Sequence, residues 1–128
     1  DVELETGEVL ANELITYRPY GTLSYAYCSD TNYSARLAKM VEGVDMLYHE
    51  ATYAADMRKT AKERGHATTA DAAKVAQMAG AGRLLIGHFS SRYKDLEALL
   101  AESREIFPAT DIARERETFL IEPKATKL

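Results

Sequence analysis

Apolar positions along this chain fall into short runs separated by stretches with a helical period. Residues 23–28 alternate large and small side chains, are rich in tyrosine and stop at Ser29-Asp30, which predicts a strand. Asn32 or Ser34 caps a helix carrying Ala35, Leu37, Ala38 and Val41 that ends near Gly43. Residues 44–48 predict a short buried strand running into His49-Glu50. A charged, helix-prone stretch over 54–64 closes at Gly65. Thr68 or Thr69 opens a third helix, with Asp71 placed for a capping box with Thr68 and an apolar face of Ala72, Val75, Ala76 and Ala79. Residues 83–87 form a third apolar run, ending in His88-Phe89. Asp95 caps a fourth helix whose inward positions are Leu96, Leu99, Leu100, Ser103 and Phe107, stopped by Pro108. Residues 110–113 and 117–122 predict two closing strands. The order β-α-β-α-α-β-α-β-β is that of an α/β fold with a largely parallel sheet. Residues 1–21 show neither period and read as an irregular lead-in ending in a turn-like cluster around Pro19 and Gly21.

Composition narrows the class. The 128 residues, 46% apolar and 28% charged, suit one globular domain and exclude collagen, low-complexity disorder and a long coiled coil. No apolar run reaches the roughly 18 residues of a membrane span. The opening Asp1-Val2-Glu3-Leu4-Glu5 has neither the basic start nor the apolar stretch of a signal peptide, and a chain that opens on Asp is expected to be a piece of something longer. One cysteine, Cys28, allows no intrachain disulfide, so nothing requires an oxidising compartment and a cytoplasmic location is expected. The net charge of −4 argues mildly against a dedicated nucleic-acid surface.

The chemistry collects at strand ends, where open α/β sheets bind their ligands. Three consecutive strands end in Asp30, in His49-Glu50 and in His88, and the loop between the second and third strands adds His66. Each residue also has a plainer reading. Asp30 can start a turn or cap a helix, and His49 is better read as a hydrogen-bonded core histidine than as a ligand. Glu50 is either a solvated acid or the partner of an imidazole, and His66 is an ordinary loop residue or a functional one. His88, after four apolar residues and a glycine, is best placed to bind metal or to act in acid–base chemistry. Catalytic zinc takes about three protein ligands plus an open position, and a metal pair takes more. With histidines only at 49, 66 and 88 there is no His-x-His or helical His-x-x-x-His pair, so a complete site from this chain alone is not expected. Phosphate-loop, dinucleotide and nucleophile-elbow motifs are absent. Tyr25 and Tyr27 read as strand packing, Cys28 as a small packed hydrophobe, and Lys59, Lys62 and Arg64 as a solvated helix face beside His66.

Four segments carry a more specific signal. Residues 24–31 (SYAYCSDT), 44–53 (VDMLYHEATY), 65–70 (GHATTA) and 84–93 (LLIGHFSSRY) resemble, in order and spacing over nearly the whole chain, the C-terminal half of the ribonuclease Z family; Glu105-Ile106-Phe107-Pro108 fits as well. That family comprises the zinc-dependent endonucleases that cut the 3′ trailer from precursor tRNA. The resemblance implies half of a metallo-β-lactamase αββα sandwich, with a mixed sheet flanked by helices, and a homodimer without membrane attachment. It implies that Asp30 bridges two zinc ions and that His88 binds one of them. Glu50 would support His66, whose imidazolium stabilises the scissile phosphate or protonates the leaving 3′ oxygen, while the zinc pair activates water and neutralises developing charge. Arg92 is implied as a contact to RNA phosphate or as a structural residue.

Two departures accompany the resemblance. The family's His-Ser-Thr reads His66-Ala67-Thr68, one hydroxyl fewer. Its N-terminal His-x-His-x-Asp-His cluster, source of most zinc ligands, has no counterpart in 1–128, and neither has its tRNA-binding arm. The chain alone is therefore expected to be inactive, and half a sandwich is expected to expose an apolar sheet face and to self-associate. Two rival readings stand beside this one: a ribonuclease Z-like phosphodiesterase or arylsulfatase, and a non-catalytic α/β module for assembly or ligand binding.

Overall fold

The structure, a computed structural model, describes residues 2–3, 9–10 and 22–124. Its centre is a four-stranded parallel sheet built from β3 (Tyr25–Cys28), β4 (Met46–Glu50), β5 (Arg83–Gly87) and β6 (Thr110–Ile112), in that spatial order. The register pairs Tyr27 with Tyr48, Tyr48 with Leu85, and Leu85 with Asp111. Before it, β1 (Val2–Glu3) and β2 (Val9–Leu10) pair antiparallel. The lead-in is thus not wholly irregular: strand-favouring Val2 and Val9 fall in two-residue segments too short to register as a period. The expected turn around Pro19 and Gly21 lies outside the described residues.

Among the described residues the helices are α1 (Ala35–Met40), α2 (Arg58–Arg64, entered through a 3₁₀ turn at Ala55–Met57), α3 (Thr69–Ala79) and α4 (Leu96–Ile106). Local chemistry fixes their ends. The Ser34 hydroxyl accepts from the Leu37 N–H at 3.0 Å, so Ser34 rather than Asn32 caps α1. Thr68 and Asp71 form a reciprocal capping box on α3. Gly65 and Gly80 close α2 and α3 in left-handed geometry, and Asp95 caps α4.

Strand order follows chain order, so right-handed crossovers place the helices on one face. The core confirms it. Ala38 of α1, Ala72, Ala73, Val75 and Ala76 of α3, and Leu100 of α4 pack with Cys28, Leu47, Leu84, Ile86 and Ile112 of the strands. The alanine-rich face of α3 lets its backbone approach the sheet closely. Leu47, Leu84 and Ile86 are fully buried and contribute about 1.5–3 kcal/mol each by leaving water.

The opposite sheet face carries Tyr25, Tyr27, Met46, Tyr48, Arg83, Leu85 and Asp111. Residues 117–122 do not form the expected closing strand. Phe119 and Ile121 share a cleft with Tyr25 of β3, Met46 of β4 and Leu85 of β5, so the segment crosses three strands instead of extending the sheet edge. It is held at Arg83, stacked on Phe119, and at the Lys124 N–H, which donates to Asp45 at 3.0 Å. The expected apolar patch is partly covered as a result. Met46 and Leu85 are buried, whereas Tyr25 and Tyr27 stay exposed at 49% and 64%. Tyr27 stacks on Tyr48 with ring centroids 4.6 Å apart, so these tyrosines lie on the open face and not in the core.

Candidate metal centre

Asp30 forms the bend two residues beyond β3, Glu50 ends β4, and His88 directly follows β5, so parallel strands in register deliver three side chains to one edge of the sheet. His66 arrives from the loop between α2 and α3, which is anchored by an isolated bridge between Tyr53 and Thr68. One potential ligand atom from each of Asp30, Glu50, His66 and His88 lies within 4.8 Å of the others. Asp30 and His88 both adopt left-handed backbone geometry, with φ of 50° and 61°. Aspartate and histidine tolerate this region better than most residues, but a non-glycine residue there is uncommon and such strain concentrates at functional sites.

Glu50 is fully buried and organises the cluster. Its Oε1 accepts from the Thr31 N–H at 2.9 Å and from His66 Nδ1–H at 2.6 Å. Its Oε2 accepts from the Thr52 hydroxyl at 2.6 Å and from the Thr52 and Ala67 N–H groups at 3.2 Å. Burial pushes its carboxyl upward, but the hydrogen bonds from Thr52, His66 and Ala67 and the nearby imidazole outweigh burial and hold it below the ordinary glutamate value. With five donors on its two oxygens, Glu50 is committed to holding its neighbours and has little capacity left as a ligand.

Asp30 and His88 are differently placed. Asp30 Oδ1 lies 3.4 Å from His88 Nε2 and 4.0 Å from His66 Nδ1, and its side chain is mostly exposed. The imidazoles of His66 and His88 stack at 5.3 Å. A carboxylate oxygen and an imidazole nitrogen converging on one point suit zinc or a similar divalent ion. Asp30 and His88 could thus hold such an ion, and two donors are fewer than a catalytic zinc requires.

The remaining residues singled out in the sequence separate clearly. His49 lies on the helix-covered face, fully buried, with Nδ1–H donating to the Glu50 carbonyl at 2.7 Å; burial lowers its pKa and keeps the ring neutral. It is a core histidine outside the cluster. Cys28 is buried, its thiol pushed up by burial. Arg92 is exposed and lies over the Tyr53 ring at 5.4 Å, and Tyr53 in turn meets His66 edge-on. Arg58 and Lys62 line a cleft of about 310 Å³ with Asn32, Tyr33, His66 and Asp71, whereas Arg64 reaches Tyr53. Sequence reasoning missed two residues. Thr52 contacts both Glu50 and His88, and the Asn32 amide donates to the carbonyls of Ala61, Lys62 and His66. Thr52 sits inside the quoted His-Glu-Ala-Thr segment, two residues beyond Glu50, which was the available signal.

No protein-family model matches the chain. It is 44% identical over 116 residues to ribonuclease Z of Porphyromonas gingivalis, a match covering 91% of this chain and 38% of that protein. Among solved structures it is similar to the metallo-β-lactamase fold protein YhfI of Bacillus subtilis, with a TM-score of 0.63, 29% identity and coverage of 69% of this chain and 36% of the other. It is also similar to the short form of human tRNase Z, with a TM-score of 0.51, 30% identity and coverage of 66% and 27%. The chain therefore spans less than two fifths of the length of these relatives. The resemblance drawn from its motifs is borne out, as is the α/β metallo-β-lactamase-type architecture.

Proposed function

We propose, from the premise that this chain has the metallo-β-lactamase fold and matches ribonuclease Z along nine-tenths of its length, that it is the C-terminal portion of a metal-dependent endoribonuclease that removes the 3′ trailer from precursor tRNA. The observation that carries this reading is the convergence of Asp30, His66 and His88 around buried Glu50 at one sheet edge. Asp30 and His88 would hold metal, zinc on this reading, with further ligands supplied from outside 1–128. When bound, such ions lower the pKa of water and neutralise charge on the phosphate. Glu50 holds His66 through Nδ1, leaving the other ring nitrogen to donate to a phosphate oxygen or to the departing 3′ oxygen. Arg92 supplies a further cation for RNA phosphate at the rim beside Tyr53. No helix among the described residues is long and apolar enough to cross a membrane; a cytoplasmic homodimer completes the reading.

The test is trailer cleavage of precursor tRNA by the polypeptide expressed with its flanking coding sequence, beside Asp30→Ala and His66→Ala. The expected outcome is loss of at least 100-fold in either variant, in the range that a general acid–base group supplies, and no cleavage by residues 1–128 alone. Preference for a small phosphodiester or a sulfate ester over the RNA would overturn it, as would full activity in Asp30→Ala.

A further inference from the structure

We propose that Thr52 is a positioning residue that fixes His88 as the Nδ1–H tautomer and so presents the bare Nε2 lone pair to metal. The inference rests on the metal-site reading above and deepens it. The argument is a count of protons. Glu50 receives three backbone N–H donors, from Thr31, Thr52 and Ala67, besides His66, an environment suited only to an ionised, acceptor-only carboxylate. The Thr52 hydroxyl lies 2.6 Å from Glu50 Oε2 and has a single proton, which this short charge-assisted bond takes. Toward His88 Nδ1, at 2.9 Å, Thr52 has only a lone pair left, so the proton of that contact belongs to the imidazole. His66 Nδ1, at 3.3 Å from the same hydroxyl, does not compete, because its proton is directed to Glu50 Oε1 at 2.6 Å.

A neutral imidazole protonated at Nδ1 is bare at Nε2. That atom faces Asp30 Oδ1 at 3.4 Å, and both are acceptors, so a cation between them would satisfy both lone pairs. One buried carboxylate thereby sets both histidines, His66 directly and His88 through the threonine hydroxyl. The arrangement extends the usual carboxylate–histidine support of a metal ligand by one relay atom.

Nitrogen-15 NMR of ring-labelled histidines in the metal-free 128-residue chain tests the idea without RNA or activity. The expected result is His88 with its proton on Nδ1 in the natural chain and in Thr52→Ser, and loss of that preference in Thr52→Val. His66 Nδ1–H in the same spectra reports that Glu50 and the fold are intact. Zinc affinity, measured by competition with a chromophoric chelator, is expected to fall about 10–100-fold in Thr52→Val and to recover in Thr52→Ser. A natural-chain His88 protonated at Nε2 would sink the proposal, as would an unchanged tautomer and zinc affinity in Thr52→Val. Failure of tRNA cleavage leaves these readouts untouched, so the two readings fail separately.

Discussion

Glu50 shows how a single residue couples stability to the site. Its native carboxyl titrates below the 4.5 of an ordinary glutamate, so the unfolded chain binds the proton more readily and stability rises with pH through this window. The stabilisation is complete above about 4.5 and is lost as pH falls through the native value. Glu50→Gln should flatten that acid limb in denaturant titrations repeated from pH 3 to 7, and cost about 1–3 kcal/mol at neutral pH because one amide cannot satisfy five donors. An unchanged acid limb would mean that the donors bind some other group. Asp30 sits at the opposite extreme, exposed and strained at φ 50°. Asp30→Gly should keep or raise the unfolding free energy, by up to about 1 kcal/mol, while lowering zinc affinity; a clear fall in stability would show that Asp30 braces the fold. Asp30 and His88 could be anticipated from residue type at strand ends, whereas the pairing of Glu50 with His66 from a loop followed only from the family resemblance. Thr52 and Asn32 could not, because a hydroxyl or an amide shows its partner only when distant segments meet.

Among the elements, α3 does most to hold the His66 loop. Thr68 caps it, is nearly fully buried and pairs with Tyr53, so Thr68→Ala should cost about 1 kcal/mol in chemical denaturation and weaken the His66–Glu50 contact. A loss below 0.3 kcal/mol, read against the roughly 0.5 kcal/mol lower bound for such caps, would place the anchor elsewhere. Strands β3 to β6 and helices α1 to α4 were legible because each carries its own signal: alternation, a cap, a closing glycine. Residues 117–122 carry the same alternation and yet are not a strand. Periodicity reports that one side of a segment is apolar, not whether that side joins a sheet edge or lies across a sheet face. The pair β1–β2 was missed for the opposite reason, two residues being too few to show a period.

On the scale of the whole molecule, among the described residues helices cover one sheet face and the segment carrying Phe119 and Ile121 crosses the other. Removing residues 118–128 should uncover Met46 and Leu85 beside the exposed Tyr25 and Tyr27. The expected outcome is increased binding of an apolar dye and concentration-dependent light scattering relative to the intact chain; a truncated chain whose size and dye binding match the intact chain's would show that the open face is already polar enough for water. The arrangement of the sheet has a further consequence. Spatial order β3-β4-β5-β6 repeats synthetic order, so each strand emerging from the ribosome finds its neighbour already made and no earlier edge has to wait for a later one. All four side chains of the cluster have been synthesised once residue 88 is out, before α4, β6 and the crossing segment exist. A nascent chain thus acquires these acidic and imidazole groups before α4, β6 and the crossing segment exist to cover the rest of the sheet.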